Sequence, residues 1–167
     1  GAGIAELITA KTKAIFVESP GSLTFEVQDL PAIVAAAKDR GLFVIVDNSW
    51  ATPLFYQPLG MGADIVVHAG TKMFVGHSDA MFGTTSANER AWPQLYRTHR
   101  QLGMCASPDD AFLAARGLRT LAIRMKEHQA RALELARWLE GKATVRAVYH
   151  PALEQHPDHA IWKRDYT

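Results

Sequence analysis

Asp64-Ile-Val-Val-His-Ala-Gly-Thr-Lys72 is an apolar, β-branched run that closes in a small-residue turn carrying one lysine. Ahead of it, Leu42-Phe-Val-Ile-Val-Asp47-Asn48 is a second apolar run, and it ends in an aspartate. Runs of this length and composition, alternating with helical patterning, predict parallel strands buried on both faces of an α/β sheet. Ligands of such sheets sit beyond the carboxyl ends of the strands. A lysine and an aspartate just past two such ends are expected to reach one ligand together. The pair suits a cofactor with an aldehyde and a ring nitrogen.

Working outward, Lys13-Ala-Ile-Phe-Val-Glu18 reads as an earlier buried strand, preceded by a short helical face over Gly3 to Thr9. Between the first two strands, Asp29 is an N-cap with Pro31 in the first turn, and Ile33, Val34 and Ala37 form one apolar face before Gly41. Asn48 to Leu59, with two prolines and three aromatics, is too long for a tight connection and has the look of a functional loop. After the lysine turn, Ala80 to Ser86 predicts a strand that runs antiparallel, because no helix separates it from its predecessor. Helices are expected over Glu89 to Leu102, Pro108 to Arg116 and Leu121 to Leu139, the last closed by Gly141. Val145-Arg-Ala-Val-Tyr149 predicts a strand opening a new unit, which places a boundary within residues 120–142.

The chain has 167 residues, 48% hydrophobic and 21% charged, enough for one soluble domain with part of another. A net charge of +1 supplies no footprint for nucleic acid or an anionic membrane surface. No apolar run approaches the roughly 20 residues of a membrane span. The one cysteine, Cys105, rules out an internal disulfide and a multi-cysteine metal site, and a reducing, cytoplasmic setting is expected. The start at Gly1 rather than Met, directly on a helical pattern, predicts a piece of a longer polypeptide.

Lys72 is the sharpest chemical candidate. Gly70 and Thr71 before it supply backbone N–H groups and a hydroxyl suited to a phosphate, and a lysine at the base of an apolar turn can lose its proton and condense with an aldehyde. Asp47 is its partner, since a carboxylate beside a pyridine nitrogen keeps that nitrogen protonated; a strand-end aspartate capping its loop is the plain alternative. The turn is not a nucleotide P-loop, which needs glycine before the lysine and Ser or Thr after it, where this chain has Thr71 and Met73. No G-x-G-x-x-G follows any strand. His156-Pro-Asp-His159 and His77-Ser-Asp79 are too sparse in ligands to predict a metal. Arg116, Arg119, Arg124, Arg131 and Arg137, interspersed with Glu127 and Glu134, read as a solvated or interface face.

Glu18-Ser-Pro-Gly-Ser, Val46-Asp-Asn-Ser-Trp-Ala-Thr-Pro, Gly62-Ala-Asp-Ile-Val-Val-His-Ala-Gly-Thr-Lys, Gly76-His-Ser-Asp and Arg116-Gly-Leu-Arg-Thr-Leu, in this order and spacing, resemble the pyridoxal-phosphate enzymes of cysteine and methionine metabolism. Gly21-Ser22, Leu102-Gly-Met-Cys and the Trp162-Lys-Arg-Asp-Tyr ending look most like the bacterial cystathionine β-lyase branch. The resemblance covers essentially the whole chain. It implies the aspartate-aminotransferase-like fold (fold type I), with 1–120 as the latter part of the large cofactor-binding domain, 121–142 as a bridging helix and 143–167 as the start of the small C-terminal domain. By position, Lys72 is similar to the lysine that binds pyridoxal 5'-phosphate, Asp47 to the aspartate on the ring nitrogen and Thr71 to a phosphate ligand. Two departures matter: Ala69 stands where many relatives have serine, and Ser22 where synthases and γ-lyases carry asparagine.

The implied activity is β-elimination of L-cystathionine to homocysteine, pyruvate and ammonia, in methionine biosynthesis and transsulfuration. Its partners would be a small sulfur amino acid and further copies of the same subunit, as dimers that pair into tetramers. Two alternatives stand beside it: γ-elimination or γ-replacement on the same cofactor, and a non-catalytic module or inactive fragment that keeps the fold without the chemistry.

Overall fold

A computed structural model describes residues 3–166. It opens on the short helix α1 (Ile4–Leu7), followed by β1 (Ala14–Glu18), α2 (Leu30–Lys38), β2 (Phe43–Asp47), α3 (Thr52–Phe55), β3 (Ile65–His68) and β4 (Thr84–Ala87). Four helices complete it: α4 (Trp92–Leu102), α5 (Pro108–Leu118), α6 (Leu121–Glu140) and α7 (His159–Asp165). The strands form one sheet in the order β1-β2-β3-β4. The first three run parallel, and β4 returns antiparallel beside β3, as the missing crossover helix requires.

Side-chain alternation explains where the core lies. Val44 and Val46 of β2 and Val66 of β3 point to one face, where Leu30, Ile33, Val34 and Ala37 of α2 cover them. Each such aliphatic side chain contributes roughly 1.5–3 kcal/mol by leaving water. Asp29 caps α2 by accepting the Ala32 N–H at 3.3 Å, with proline in the first turn. The opposite face departs from the expectation of burial on both sides. Phe16 is 62% exposed, and Phe43, Ile45 and Ile65 line an open groove of about 900 Å³ with Ile8 and Leu95. Among the described helices, α4 lines this groove through Gln94, Leu95 and Thr98.

Asp64, just before β3, organises the far end of the sheet. It is 4% exposed and accepts the Val44 N–H at 2.9 Å, Asn88 Nδ2 at 3.0 Å and Arg90 Nη1 at 3.1 Å. Truncating a buried charged acceptor strands its donors. Asp64→Ala is expected to cost about 3 kcal/mol, read as a lowered midpoint in urea with an unchanged slope; a loss under about 0.5 kcal/mol would contradict this account.

The C-terminal third differs from the sequence reading at one element. Val145 to Tyr149 is irregular rather than a strand. Its β-branched residues meet no neighbouring strand among the described residues, and an unpaired strand has no ladder to hold it. The segment after it folds back instead onto the loop between β1 and α2 and onto the residue after α3. Asp158 accepts the Val27 N–H at 2.9 Å, Arg164 pairs with Asp29 at 2.9 Å, and the Tyr166 hydroxyl donates to the Ser19 carbonyl at 2.8 Å while its ring stacks on Tyr56. No helix among the described residues is long and apolar enough to cross a membrane.

Candidate active site

Asp47 is the last residue of β2, in register with Glu18 on one side and Val67 on the other. Its Oδ1 accepts the Ser49 N–H at 2.8 Å, an aspartate turn that aims the half-buried carboxylate outward from the sheet end. Its other oxygen has no hydrogen-bond partner among the described residues and is free for a cationic ring N–H. Ser49 then joins the two strand ends. Its Oγ accepts the Ala69 N–H at 2.7 Å, tying the loop that carries Asp47 to the turn that carries Lys72. Trp50 packs edge-on against Phe25 at 5.3 Å beside this junction.

The lysine turn is closed by its own hydrogen bonds. Gly70 N–H donates to the His68 carbonyl, Lys72 N–H to the Ala69 carbonyl and Thr71 N–H to the Phe82 carbonyl. The Thr71 hydroxyl is turned to the same residue, donating to Phe82 C=O at 3.1 Å and accepting Phe82 N–H at 2.8 Å. In this arrangement the donors that the turn is expected to offer a phosphate are engaged within the protein. The antiparallel return through Phe82, which sequence patterning does not reveal, takes them up.

Lys72 is exposed, and its amine makes no ion pair or hydrogen bond among the described residues. It opens onto a cleft of about 830 Å³ shared with Met73, Asp79, Asp110, Arg124 and His128. Asp47 does not line that cleft. The two groups leave adjacent strands whose loops Ser49 binds together, whereas the Thr71 hydroxyl faces Phe82.

Arg124 departs from the solvated face expected of the arginine series. Its guanidinium donates to the Gly117 carbonyl at 2.9 Å and the Thr120 hydroxyl at 3.1 Å, and lies over Gly76. A Cβ on Gly76, which also has φ +79°, would meet the guanidinium carbon at 2.6 Å. Arg124 thus clamps the segment after Lys72 to α6. Arg131 does follow the expectation, pairing on the exposed surface with Glu127 and Glu134.

His68, at the end of β3, lies against Phe74 with ring centroids 4.9 Å apart. Burial pushes its imidazole below the ordinary histidine value, opposed by the Asp47 carboxylate; burial, and then His156, lower His150 likewise. Unfolded histidines protonate near pH 6.5 and these two only at lower pH, so between the two values the unfolded chain binds more protons. Stability is expected to be full above about pH 6.5 and to fall below it. Thermal melts from pH 7.5 to 5 test this, and His68→Gln is expected to flatten part of the slope; a midpoint that rises on acidification would contradict it.

A sequence profile of the Cys/Met metabolism PLP-dependent enzyme family, where PLP is pyridoxal phosphate, matches residues 1–167. The chain belongs to this family. It is 44% identical over 169 residues to the cystathionine beta-lyase of Salmonella typhimurium, covering all of this chain and 43% of that protein. It is 43% identical over 160 residues to the L-alanine/L-glutamate racemase of Wolbachia pipientis, covering 96% of this chain and 40% of that protein. Its fold matches cystathionine gamma-lyase from Lactobacillus plantarum complexed with L-serine with a TM-score of 0.95, at 31% identity, over 99% of this chain and 44% of that one. The chain thus spans about two fifths of the length of these relatives. Membership of this PLP-dependent family establishes the cofactor and the aspartate-aminotransferase-like fold. A free lysine amine and a carboxylate with one free oxygen, at adjoining strand ends, fit an aldehyde and a ring nitrogen.

Proposed function

We propose that, in the whole protein, Lys72 and Asp47 hold PLP and the reaction is β-elimination of L-cystathionine to homocysteine, pyruvate and ammonia. The observation that carries the reading is the Ser49 bond between the Asp47 loop and the lysine turn, which presents two otherwise unengaged groups at one sheet end. Bound there, the cofactor would act as an electron sink for the substrate Cα. The free oxygen of Asp47 would accept the ring N–H. Lys72 would hold the cofactor aldehyde until the substrate amine takes that place; its Nζ would then accept the Cα proton and return it to the departing β-thiolate, and water would hydrolyse the remaining three-carbon enamine to pyruvate and ammonia.

The β-elimination reading draws on Gly21-Ser22 and on the name of the Salmonella relative. Thr71 belongs to the phosphate site in this proposal, by turning its hydroxyl proton away from the Phe82 carbonyl. Thr71→Val is then expected to weaken PLP binding about tenfold, measured by equilibrium titration; unchanged binding would remove Thr71 from the site. We further take 121–142 as the bridge, supported by the exposed Ile123, Leu135 and Trp138, which suit packing against further chain, and 143–167 as the opening of a smaller domain that is tied to the first unit through Asp158, Arg164 and Tyr166.

Reduction with borohydride in the presence of PLP, followed by peptide mapping, tests the cofactor half. Label confined to Lys72 supports it, and label scattered over surface lysines overturns it. Product analysis tests the rest: pyruvate supports β-elimination, and 2-oxobutyrate would mean γ-elimination. The likeness to a racemase favours a second reading in which the proton taken from Cα is returned to its other face. Appearance of the D-enantiomer without pyruvate would establish that one instead.

A further inference from the structure

Beyond Asp47 and Val67, the next pair of positions on the two parallel strands is Asn48 and His68. The Asn48 N–H donates to the Val67 carbonyl at 2.9 Å, so the ladder continues to this pair. Alternation places both side chains on the face of Val46 and Val66, and both are buried, at 1% and 8% exposure. Asn48 Nδ2 donates to the Tyr56 carbonyl at 2.9 Å, and His68 Nδ1 lies 3.5 Å from the Thr84 hydroxyl.

One polar atom of each remains without a partner among the described residues: Asn48 Oδ1 and His68 Nε2. They are complementary. With the Thr84 hydroxyl donating to Nδ1, the neutral imidazole carries its proton on Nε2 and so offers a donor beside an amide acceptor. Neighbouring strands lie about 4.8 Å apart. That spacing sets the two side chains next to each other on one face of the sheet, and buried waters occur where neighbouring buried polar groups lack partners.

We propose that a single buried water joins His68 Nε2–H to Asn48 Oδ1 and makes His68 a positioning residue for Asp47. The Asn48 amide is then held at both ends, by Tyr56 and by the water, while its backbone is held by Val67. The preceding residue cannot swing, and the Asp47 carboxylate keeps its aim. The role assigned to Asp47 rests on the cofactor reading above; the water does not.

A high-resolution crystal structure of the whole protein without cofactor is expected to show one water within hydrogen-bond distance of both atoms. A dry gap, or a direct bond between the two side chains, would overturn the bridge. For positioning, His68→Gln, whose amide N–H reaches the same place, is expected to keep the PLP dissociation constant within about twofold, whereas His68→Leu raises it about tenfold. Equal affinity in the Leu variant, or failure of Gln to rescue, overturns the positioning role. Should the Leu variant not fold, the Gln variant and its bridging water still decide. A protein that shows the water but binds no PLP refutes the cofactor reading alone.

Discussion

Lys72→Ala is expected to lower kcat/KM in the whole protein by at least about a thousandfold and to abolish borohydride-dependent labelling with PLP. The lysine has two duties in the proposed cycle, holding the cofactor aldehyde and taking the Cα proton, and alanine does neither. Few other groups could substitute. Among the described residues the cleft beside Lys72 offers Asp79, Asp110, Arg124 and His128, of which Arg124 is engaged with Gly117 and Asp79 with Arg116. Exogenous amines are expected to restore part of the rate, because they replace the proton acceptor without the tether. Pyruvate production near the parent rate would sink the assignment.

Gly117→Ala is expected to be the most damaging small substitution outside the chemistry. The glycine is in α5, and a Cβ there would lie 2.1 Å from the Phe74 carbonyl oxygen and 2.4 Å from that of Val75. Both are backbone atoms, so no side-chain rotation relieves the overlap. The helix or the segment after Lys72 must shift. Overpacking of this kind costs about 3 kcal/mol or more, and it propagates to the site, because only Met73 separates Phe74 and Val75 from Lys72 and the Gly117 carbonyl is the acceptor of Arg124. A midpoint in urea within experimental error of the parent would show that this contact is looser than the geometry requires. Loss of PLP affinity together with stability is the expected pattern.

The sheet was legible because its signals are local. β-branched runs ending at Asp47 and His68, a capped helix between Asp29 and Gly41, and the absence of a crossover before Thr84 encode strand, helix and antiparallel return within a few residues of each position. The candidate site was legible in part. Lys72 and Asp47 are chemically distinctive residues at the ends of such runs, so their placement follows once the strands are read. Ser49, His68 and Arg124 carry no such mark, since serine, histidine and arginine occur on most surfaces. Only the spatial partner, Ala69 for Ser49, Phe74 and Thr84 for His68, or Gly76 for Arg124, shows how they are engaged.

Patterning by itself therefore determined the strand directions, the turn with its lysine and the aspartate one strand earlier, while the quoted motifs carried the resemblance to a PLP-dependent family. The tertiary structure decided how those parts are engaged. It spends the Thr71 hydroxyl on Phe82, clamps Arg124 over Gly76, leaves the Phe16 and Phe43 face open and denies Val145 to Tyr149 a strand. The division has one physical cause. Backbone preference and hydrophobic period act between residues near in sequence, whereas hydrogen-bond satisfaction and close packing depend on which distant segment arrives opposite.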